Sequence, residues 1–104
     1  MKTLLLMRHG KSSWKDESLE DFERPLKKRG RKDSKKIASV IASNNLIPDI
    51  IISSSATRAR ETVDVVVDAL DFKNRIVFSD ALYMGEPRDI LAALENLNDE
   101  NNSV

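Results

Sequence analysis

The sequence predicts an α/β fold in which a mostly parallel sheet is flanked by helices. Three short apolar runs have the length of buried strands, and amphipathic stretches of helical length separate and follow them. Alternating strands and helices are typical of one parallel sheet with right-handed crossovers. The chain has 104 residues and no internal repeat, so we assign residues 1–104 to a single domain.

The composition is that of a globular protein at the polar end of the range, with 40% apolar and 33% charged residues. There is no cysteine, which excludes disulfides and thiolate metal sites and favours a cytoplasmic location. The leucine run near the start is interrupted by Arg8 and is too short for a signal peptide. No stretch reaches transmembrane length, so we expect no membrane partner.

The charges are unevenly distributed along the chain. Residues 1–60 carry 14 Lys/Arg against 7 Asp/Glu, whereas residues 61–104 carry 3 against 10. The positive half favours an anionic substrate. Eight of its basic residues lie between Arg24 and Lys36. We interpret them as the solvated face of a helix rather than a phosphoprotein or nucleic-acid patch, because no aromatic residues are interleaved for base stacking.

The first predicted strand covers residues 2–7 and runs directly into Arg8, His9 and Gly10. Ligands of open α/β sheets bind at the carboxyl ends of strands, so Arg8 and His9 are predicted to lie at the rim of a site. An imidazole can carry a phosphoryl group, a guanidinium can hold phosphate oxygens, and a glycine allows close backbone approach. The tripeptide therefore indicates a site in which a histidine attacks phosphorus. The alternative interpretation is a strand end with a partly exposed histidine and a solvated arginine.

A loop is predicted over residues 11–25, and loops of this length are usually functional or mobile. Its first polar residues, Lys11, Ser12 and Ser13, are interpreted either as donors to an oxyanion or as surface residues. We expect Trp14 to anchor the loop by packing, with a position beside the substrate as the alternative.

A helix is predicted over residues 26–45, ending at Asn44 and Asn45. Small residues on one face would let it approach the sheet closely. The predicted face consists of Gly30, Ser34, Ile37, Ala38 and Ile41.

The second strand, residues 50–52, leads through three serines at 53–55 into the next helix. The serines are candidates for its N-cap. A helix N-terminus favours phosphate, so we predict that Arg58 in the first turn converges with Arg8 on one phosphoryl group. Arg60 lies on another side of the helix and is expected to form a surface ion pair. The predicted buried face consists of Val63, Val66, Val67 and Leu70.

The third strand is predicted at residues 75–79 and is followed by a loop at 80–86. A last helix begins at Pro87 and runs to about Leu97. Its inner face is predicted to consist of Ile90, Leu91, Leu94 and Leu97. Residues 98–104 are polar and show no period.

Together these segments resemble the histidine phosphatase superfamily, also called phosphoglycerate-mutase-like, and within it the SixA-type phosphohistidine phosphatases. The matching segments come in the family's order and at about its spacing. They are residues 6–14, 24–26, 28–30, 47–49, 53–62 and 81–83. The resemblance implies a three-layer sandwich around a mostly parallel sheet, and a phosphatase that needs neither a metal nor another cofactor.

By this resemblance His9 is the nucleophile and is transiently phosphorylated, while Arg8 and Arg58 bind the phosphoryl group. We expect a backbone carbonyl near Gly10 to hold the other imidazole nitrogen and so fix the tautomer. Further substrate contacts are expected from Lys11, Ser12 and Ser55. The acids nearest to the rim are Asp80, Tyr83 and Glu86, for each of which we favour a role on the loop surface over catalysis.

The family carries a second catalytic histidine on a later strand that ends in a Gly-His pattern, whereas this chain has one histidine. We therefore expect the 104 residues to be the amino-terminal part of the full fold, with the C-terminal part missing; a natural short form is the alternative. A sheet that lacks a strand exposes an edge, which favours a dimer or strand exchange and lowers stability.

Two functions from different classes are consistent with these features. The first is a phosphatase that works through phosphohistidine and acts on phosphohistidine in proteins or on a small phosphorylated substrate, with impaired turnover in this chain. The second is a non-catalytic module that binds phosphate or a phosphoprotein through Arg8, Arg58 and the basic helix. Neither function has nucleic acid as a partner.

Overall fold

The computed structural model describes residues 2–97 and 100–104, a range that holds three α-helices and two β-strands. The helices are α1 (Lys28–Ser43), α2 (Thr57–Leu70) and α3 (Pro87–Glu95). The strands are β1 (Ile50–Ser54) and β2 (Arg75–Ser79), and short 3-10 turns cover Asp21–Glu23 and Asp80–Leu82. The predicted α/β architecture is confirmed, and most elements begin or end within a few residues of their predicted bounds.

The sheet consists of β1 and β2, which run parallel with Ile50 opposite Arg75 and Ser54 opposite Ser79. The helix α2 connects the two strands and packs against both β1 and α1. The apolar core formed by these elements is small, which agrees with the short chain. Its buried apolar residues are Leu26, Ala38, Ile50, Ala56, Val66 and Phe72.

The predicted first strand over residues 2–7 is wrong. Only Thr3 forms a β-bridge, parallel to Ser103. Leu6 is 72% exposed, and within the described residues the backbone of residues 6–9 makes no hydrogen bond to another backbone segment. A strand is maintained by the ladder of hydrogen bonds to its neighbour, and this apolar run lacks a neighbour beyond its first residues.

The last residues of the chain pair with its first residues. The N–H groups of Thr3 and Leu5 donate to the carbonyls of Asn102 and Val104 at 2.8 and 2.7 Å. On the other side, the N–H of Asp49 donates to the carbonyl of Ser103 at 2.9 Å. The end of the chain therefore lies between the first segment and the start of β1. Of the predicted polar stretch 98–104, residues 98 and 99 lie outside the described residues.

The small residues of α1 predicted a close approach to the sheet. The helix does make a close approach, but to the backbone of Gly10 and Lys11. A Cβ on Gly30 would lie 2.7 Å from the backbone nitrogen of Lys11, and a Cβ on Gly10 would lie 2.6 Å from the carbonyl oxygen of Gly30. The contact is thus made to the turn after His9 rather than to the sheet, and it requires glycine on both sides.

The remaining features of α1 follow the sequence in part. Ser34 and Ala38 are buried as predicted, whereas Ile37 is exposed. The helix ends at Ser43 with Asn44 as its C-cap, and Asn45 has a positive φ of 55°, which is the stop expected from the two asparagines. Of the eight basic residues between Arg24 and Lys36, seven are exposed, as a solvated face requires, whereas Arg24 is buried.

The start and the buried face of α2 differ from prediction. The N-cap is Ala56 rather than a serine, and the Ser54 hydroxyl accepts the N–H of Ala56 at 3.2 Å from outside the helix. Of the four predicted apolar positions only Val66 is buried. Val63 and Leu70 are half-buried because they line an open groove instead of packing beneath a further strand.

α3 ends at Glu95, and its predicted inner face is not buried. Ile90 is 36% and Leu91 60% exposed, because the helix packs mainly on the Asp80–Leu82 turn. Between α3, α2, β1 and residues 4–9 lies a cavity of about 350 Å³, which we call the apolar groove. No helix within the described ranges is long and apolar enough to cross a bilayer.

Candidate active site

The His9 ring is held by the backbone of its own turn. Its Nδ1 lies 2.7 Å from the carbonyl oxygen of Gly10. Because a carbonyl can only accept, Nδ1 carries the hydrogen, and in the neutral ring Nε2 presents a free lone pair. The Gly10 carbonyl is therefore the tautomer-fixing partner expected from the sequence, and Nε2 is the nitrogen available for attack.

Thr62 ties this turn to α2. The N–H of Gly10 donates to the Thr62 hydroxyl at 3.1 Å, and this hydroxyl donates to the carbonyl of Arg58 at 2.8 Å. Thr62 is 5% exposed, so water does not replace these bonds easily. A chain of hydrogen bonds thus connects the His9 ring, through Gly10 and Thr62, to the first turn of α2.

Substituting Thr62→Val should lower the free energy of unfolding by about 1–3 kcal/mol, because valine keeps the shape but leaves the Gly10 N–H without a partner. Urea unfolding measures this change. Thr62→Ser retains the hydroxyl and is the control, with a smaller expected loss. Equal losses in the two variants would mean that packing of the methyl group, and not the hydroxyl, is what matters.

Arg58, the predicted phosphate ligand, is buried and has an acidic partner. Its Nη1 donates to the Asp21 carbonyl at 2.7 Å and its Nη2 to the Asp21 carboxylate at 3.1 Å. The same carboxylate accepts the Tyr83 hydroxyl at 2.6 Å and Arg24 Nε at 3.2 Å. Asp21 thus gathers two arginines and a tyrosine, and a phosphoryl group at Arg58 has to share or displace this carboxylate.

The hydrogen bond between Asp21 and Tyr83 shifts the pKa values of both side chains. It is the main cause that lowers the pKa of Asp21, with smaller help from Arg58 and Arg24. It also raises the pKa of Tyr83, with burial adding to the effect. Ionised Asp21 accepts these hydrogen bonds and so stabilises the folded state above pH about 4. This stabilisation is lost as the pH falls through the pKa of Asp21 in the folded protein. The Tyr83 contribution is present below pH about 10 and is lost as the pH rises through its folded pKa.

Tyr83 is the single tyrosine of the chain, so its ionisation can be followed directly by ultraviolet absorbance. We expect it to titrate above the usual range in the native protein, and Asp21→Asn to move its pKa back toward the ordinary value of about 10. Glu23→Gln is the matched control, because this exposed acid of the same turn makes no side-chain bond to Tyr83. An unchanged titration in Asp21→Asn would show that the bond is absent in solution.

Trp14 was expected to anchor the loop by packing, with a position beside the substrate as the alternative. Its side chain is 70% exposed and lines the same cavity as His9. The guanidinium carbon of Arg24 lies 3.3 Å from the centre of the Trp14 ring. Stacking on a planar guanidinium needs only one face of the indole, which leaves the other face in solvent.

A cavity of about 470 Å³ opens beside His9. Its lining includes four of the predicted site residues, which are Arg8, His9, Lys11 and Ser12. The loop is fixed there because Lys27 N–H donates to the Lys11 carbonyl at 2.8 Å and Ser12 forms a bridge with Leu26. The structure therefore brings these four residues together around one opening.

The structure does not bring Arg58 to this opening. Arg8 is exposed and lines the cavity, whereas Arg58 is not among the lining residues and its guanidinium is bonded to Asp21. Their convergence on a phosphoryl group stays a prediction.

The other predicted residues lie in separate places. The Ser55 hydroxyl bonds to the Asp80 carboxylate, and Tyr83 belongs to the Asp21 cluster. Glu86 precedes α3, where its carboxylate pairs with exposed Arg88 at 3.2 Å. The three candidate acids therefore each have a structural partner.

The expected surface ion pair of Arg60 is wrong. Its Nε donates to the carbonyl of Ser55 at 2.9 Å, and its guanidinium carbon lies 4.1 Å from the centre of the Phe78 ring. A carbonyl just before a helix needs a donor, and Arg60 supplies it.

Two residues of the site, Asp21 and Thr62, were not identified from the sequence. Asp21 lies in an irregular loop 37 residues from Arg58, where no local pattern marks it. Thr62 ends one of the segments that carry the family resemblance, which is the only indication available beforehand. Among the described residues no group of three His, Cys, Asp or Glu could hold a metal ion.

Comparison with protein families and curated proteins gives consistent matches. The model described as histidine phosphatase superfamily (branch 1) matches residues 4–82. An uncharacterised chloroplastic protein of Arabidopsis thaliana is 48% identical over 62 residues, which are 60% of this chain and 28% of that protein. A 2,3-bisphosphoglycerate-dependent phosphoglycerate mutase of Leifsonia xyli is 34% identical over 70 residues, 65% of this chain and 28% of the mutase.

Solved structures match over nearly the whole chain. A protein assigned as phosphohistidine phosphatase SixA from Agrobacterium tumefaciens superposes with a TM-score of 0.87 at 29% identity, covering 95% of this chain and 64% of that one. A protein histidine phosphatase SixA complexed with tungstate gives a TM-score of 0.85 at 25% identity, covering 97% and 65%. The chain thus spans about two thirds of these solved proteins and 28% of the curated relatives.

Proposed function

The chain belongs to the histidine phosphatase superfamily, and from this membership we propose that it takes a phosphoryl group from a phosphorylated substrate onto His9. The observation that carries the proposal is the bond from His9 Nδ1 to the Gly10 carbonyl, which leaves Nε2 free to attack. The solved relatives named as phosphohistidine phosphatases favour phosphohistidine in a protein as the substrate. The mutase relatives make a small phosphorylated molecule the alternative substrate.

In the proposed first step the Nε2 lone pair attacks phosphorus, and the bond from phosphorus to the leaving nitrogen or oxygen breaks. The leaving group keeps that electron pair and takes a proton. An imidazole leaving group needs less acid assistance than an alkoxide. Because Asp80, Tyr83 and Glu86 are each engaged with a structural partner, the site suits a phosphoramidate such as phosphohistidine better than a phosphate ester.

Arg8 and Arg58 are proposed to stabilise the charge on the transferring phosphoryl group, which is the main requirement of this reaction. Lys11 and Ser12, which line the same cavity as His9, are proposed as further donors. In the second step water attacks phosphorus, the bond to Nε2 breaks, and phosphate leaves. With one histidine in the 104 residues, where the family resemblance implies two, we propose that turnover by this chain is impaired.

The alternative function is phosphate or phosphoprotein binding without transfer. It is favoured by the exposed lysines and arginines of α1, because this helix lines the cavity beside His9 and its positive charge attracts an anion without any reacting group. Binding and transfer differ in one observable, which is a covalent phosphoryl group on His9.

The test is incubation of the protein with phosphoramidate, followed by mass spectrometry of the peptide that contains His9. We expect an acid-labile, alkali-stable mass increase of one phosphoryl group. In Arg8→Ala the labelling rate should fall about 100-fold, because one donor to the developing charge is removed.

Arg75→Ala is the matched control, since this exposed arginine starts β2 at the end of the strand away from Ser79. It should label at the wild-type rate. Absence of the label in a chain that circular dichroism shows to be folded would reject transfer, and tungstate binding measured by calorimetry in that case would support the binding function.

A further inference from the structure

We infer that Asp21 is a specificity-determining residue, because its carboxylate shares the Arg58 guanidinium with the bound phosphoryl group and disfavours phosphoryl groups of high negative charge. The substrate class that it favours is a phosphoryl group on a protonated nitrogen, and the class that it disfavours is the dianionic phosphate ester. This inference rests on the proposed function, in which Arg58 is a phosphate ligand, and it adds the residue that sets the charge preference.

The Asp21 carboxylate is held in place by donors from three parts of the chain. Its Oδ2 accepts the Tyr83 hydroxyl at 2.6 Å and Arg58 Nη2 at 3.1 Å, while its Oδ1 accepts Arg24 Nε at 3.2 Å. Both arginines are buried. A buried donor that loses its acceptor raises the free energy of the folded state. An anion that displaced the carboxylate would have to replace all of these bonds, so the carboxylate stays beside Arg58.

The turn that carries Asp21 is bound to the same partners by other contacts. Arg58 Nη1 donates to the Asp21 backbone carbonyl at 2.7 Å. The Phe22 ring meets the Tyr83 ring edge-on, with 4.9 Å between the ring centres. The Asp21 side chain therefore cannot move away from Arg58 unless the whole turn moves.

Arg58 can bind a second acceptor while Asp21 remains. A guanidinium has five N–H groups, and in the described part of the chain the Arg58 side chain donates two of them, both to Asp21. A phosphoryl oxygen on another of these groups then shares one guanidinium with the carboxylate. The two anions repel each other, and the repulsion grows with the charge of the incoming group.

The backbone of Arg58 adjoins the turn that carries the nucleophile. The Arg58 carbonyl accepts the Thr62 hydroxyl at 2.8 Å, and this hydroxyl accepts the Gly10 N–H at 3.1 Å. Gly10 in turn holds the His9 ring through its carbonyl. A phosphoryl group that contacts both His9 and Arg58 is therefore exposed to the field of Asp21.

Phosphoryl groups differ in charge according to the atom that carries them. A phosphate ester has a charge of about −1.5 to −2 at pH 7. The nitrogen of phosphoramidate binds a proton near neutral pH, which offsets part of the negative charge. The second ring nitrogen of phosphohistidine can also bind a proton, because imidazole titrates in this range. Repulsion by Asp21 thus acts mainly against the ester, and it adds to the preference that comes from the leaving group.

The test compares phosphoramidate with acetyl phosphate, two donors with good leaving groups, of which acetyl phosphate has the more negative charge. The measured quantity is the ratio of initial His9 labelling rates, acetyl phosphate over phosphoramidate. Asp21→Asn keeps the shape of the side chain without its charge and should raise this ratio about 10-fold. A change in the folded fraction cancels in the ratio, because both donors react with the same folded protein.

Two control variants should keep the wild-type ratio. Glu23→Gln removes the same charge from the same turn, but at an exposed position, and Arg58 donates to Asp21 rather than to this acid. Tyr83→Phe removes one bond to the carboxylate and leaves its charge. A ratio that rises equally in Glu23→Gln would point to net charge alone. An equal rise in Tyr83→Phe would point to the rigidity of the turn, and either result would overturn the inference.

A binding experiment tests the inference without phosphoryl transfer. His9→Ala cannot be labelled, and calorimetry gives its dissociation constants for methyl phosphate and phosphoramidate. Adding Asp21→Asn should tighten methyl phosphate about 10-fold more than phosphoramidate. An unchanged preference, or no binding of either anion with or without Asp21→Asn, would contradict the role of Asp21. If wild type is not labelled but this binding preference shifts as expected, phosphoryl transfer is rejected and the role of Asp21 stands.

Discussion

Gly30→Ala is expected to lower the free energy of unfolding by about 3 kcal/mol, although alanine is the better helix former by about 0.5–1 kcal/mol. The added methyl group would meet the backbone carbonyl of Lys11 and, at 2.7 Å, its backbone nitrogen. Backbone atoms cannot rotate aside as a side chain can, so α1 and the turn after His9 have to separate. In urea this corresponds to a midpoint about 2 M lower for a slope of about 1.5 kcal/mol/M.

Gly85→Ala is the matched control for this substitution. Its added Cβ would lie 3.0 Å from the Ala81 carbonyl and 3.2 Å from the Leu82 Cα, which is a milder crowding in a surface turn. We expect its midpoint to fall much less than that of Gly30→Ala. A midpoint for Gly30→Ala at or above wild type would contradict the close contact between α1 and the turn.

Arg58→Ala is expected to reduce the rate of phosphoryl labelling of His9 about 1000-fold, at the upper end of what one donor contributes. The effect should exceed that of Arg8→Ala because Arg58 is 7% exposed, whereas Arg8 is exposed. Charge–charge attraction is screened less in the buried position. The measurement is the initial rate of labelling by phosphoramidate under conditions where circular dichroism shows the variant to be folded.

Arg24→Ala separates this effect from a loss of structure. Arg24 is also 7% exposed and also donates to the Asp21 carboxylate, so its removal should destabilise the fold to a similar extent. It is assigned no contact with the phosphoryl group, so labelling should stay near the wild-type rate. If both variants lose labelling equally, Arg58 acts through the integrity of the Asp21 cluster rather than as a ligand.

The elements that the sequence predicted correctly depend on local pattern. β2 was predicted at its observed bounds, because a short apolar run between polar turns suffices to define it. The bond that orients His9 was also predictable, since it is made within the same turn. The first strand was predicted wrongly for the opposite reason. Its apolar run is present, but whether it forms a strand depends on a partner that its own residues do not specify.

The part of the site that the sequence did not reveal depends on contacts between distant segments. Asp21 meets Tyr83 across 62 residues of sequence, and Gly10 meets Thr62 across 52. Neither pair has a spacing or periodicity that marks it in advance. The position of Arg58 in the first turn of α2 predicted a phosphate ligand but could not show that the Asp21 carboxylate is already bonded to it.

Trp14 is the single tryptophan of the chain, and its ring stacks on the Arg24 guanidinium. Arg24 shares the Asp21 carboxylate with Arg58, so an oxyanion that draws Arg58 away from Asp21 changes the surroundings of the indole. The protein therefore carries a built-in fluorescent reporter that is connected to the proposed phosphate ligand through two side chains, Arg24 and Asp21. Its emission can follow anion binding in real time without an attached dye, and it can do so even in variants that have lost all turnover.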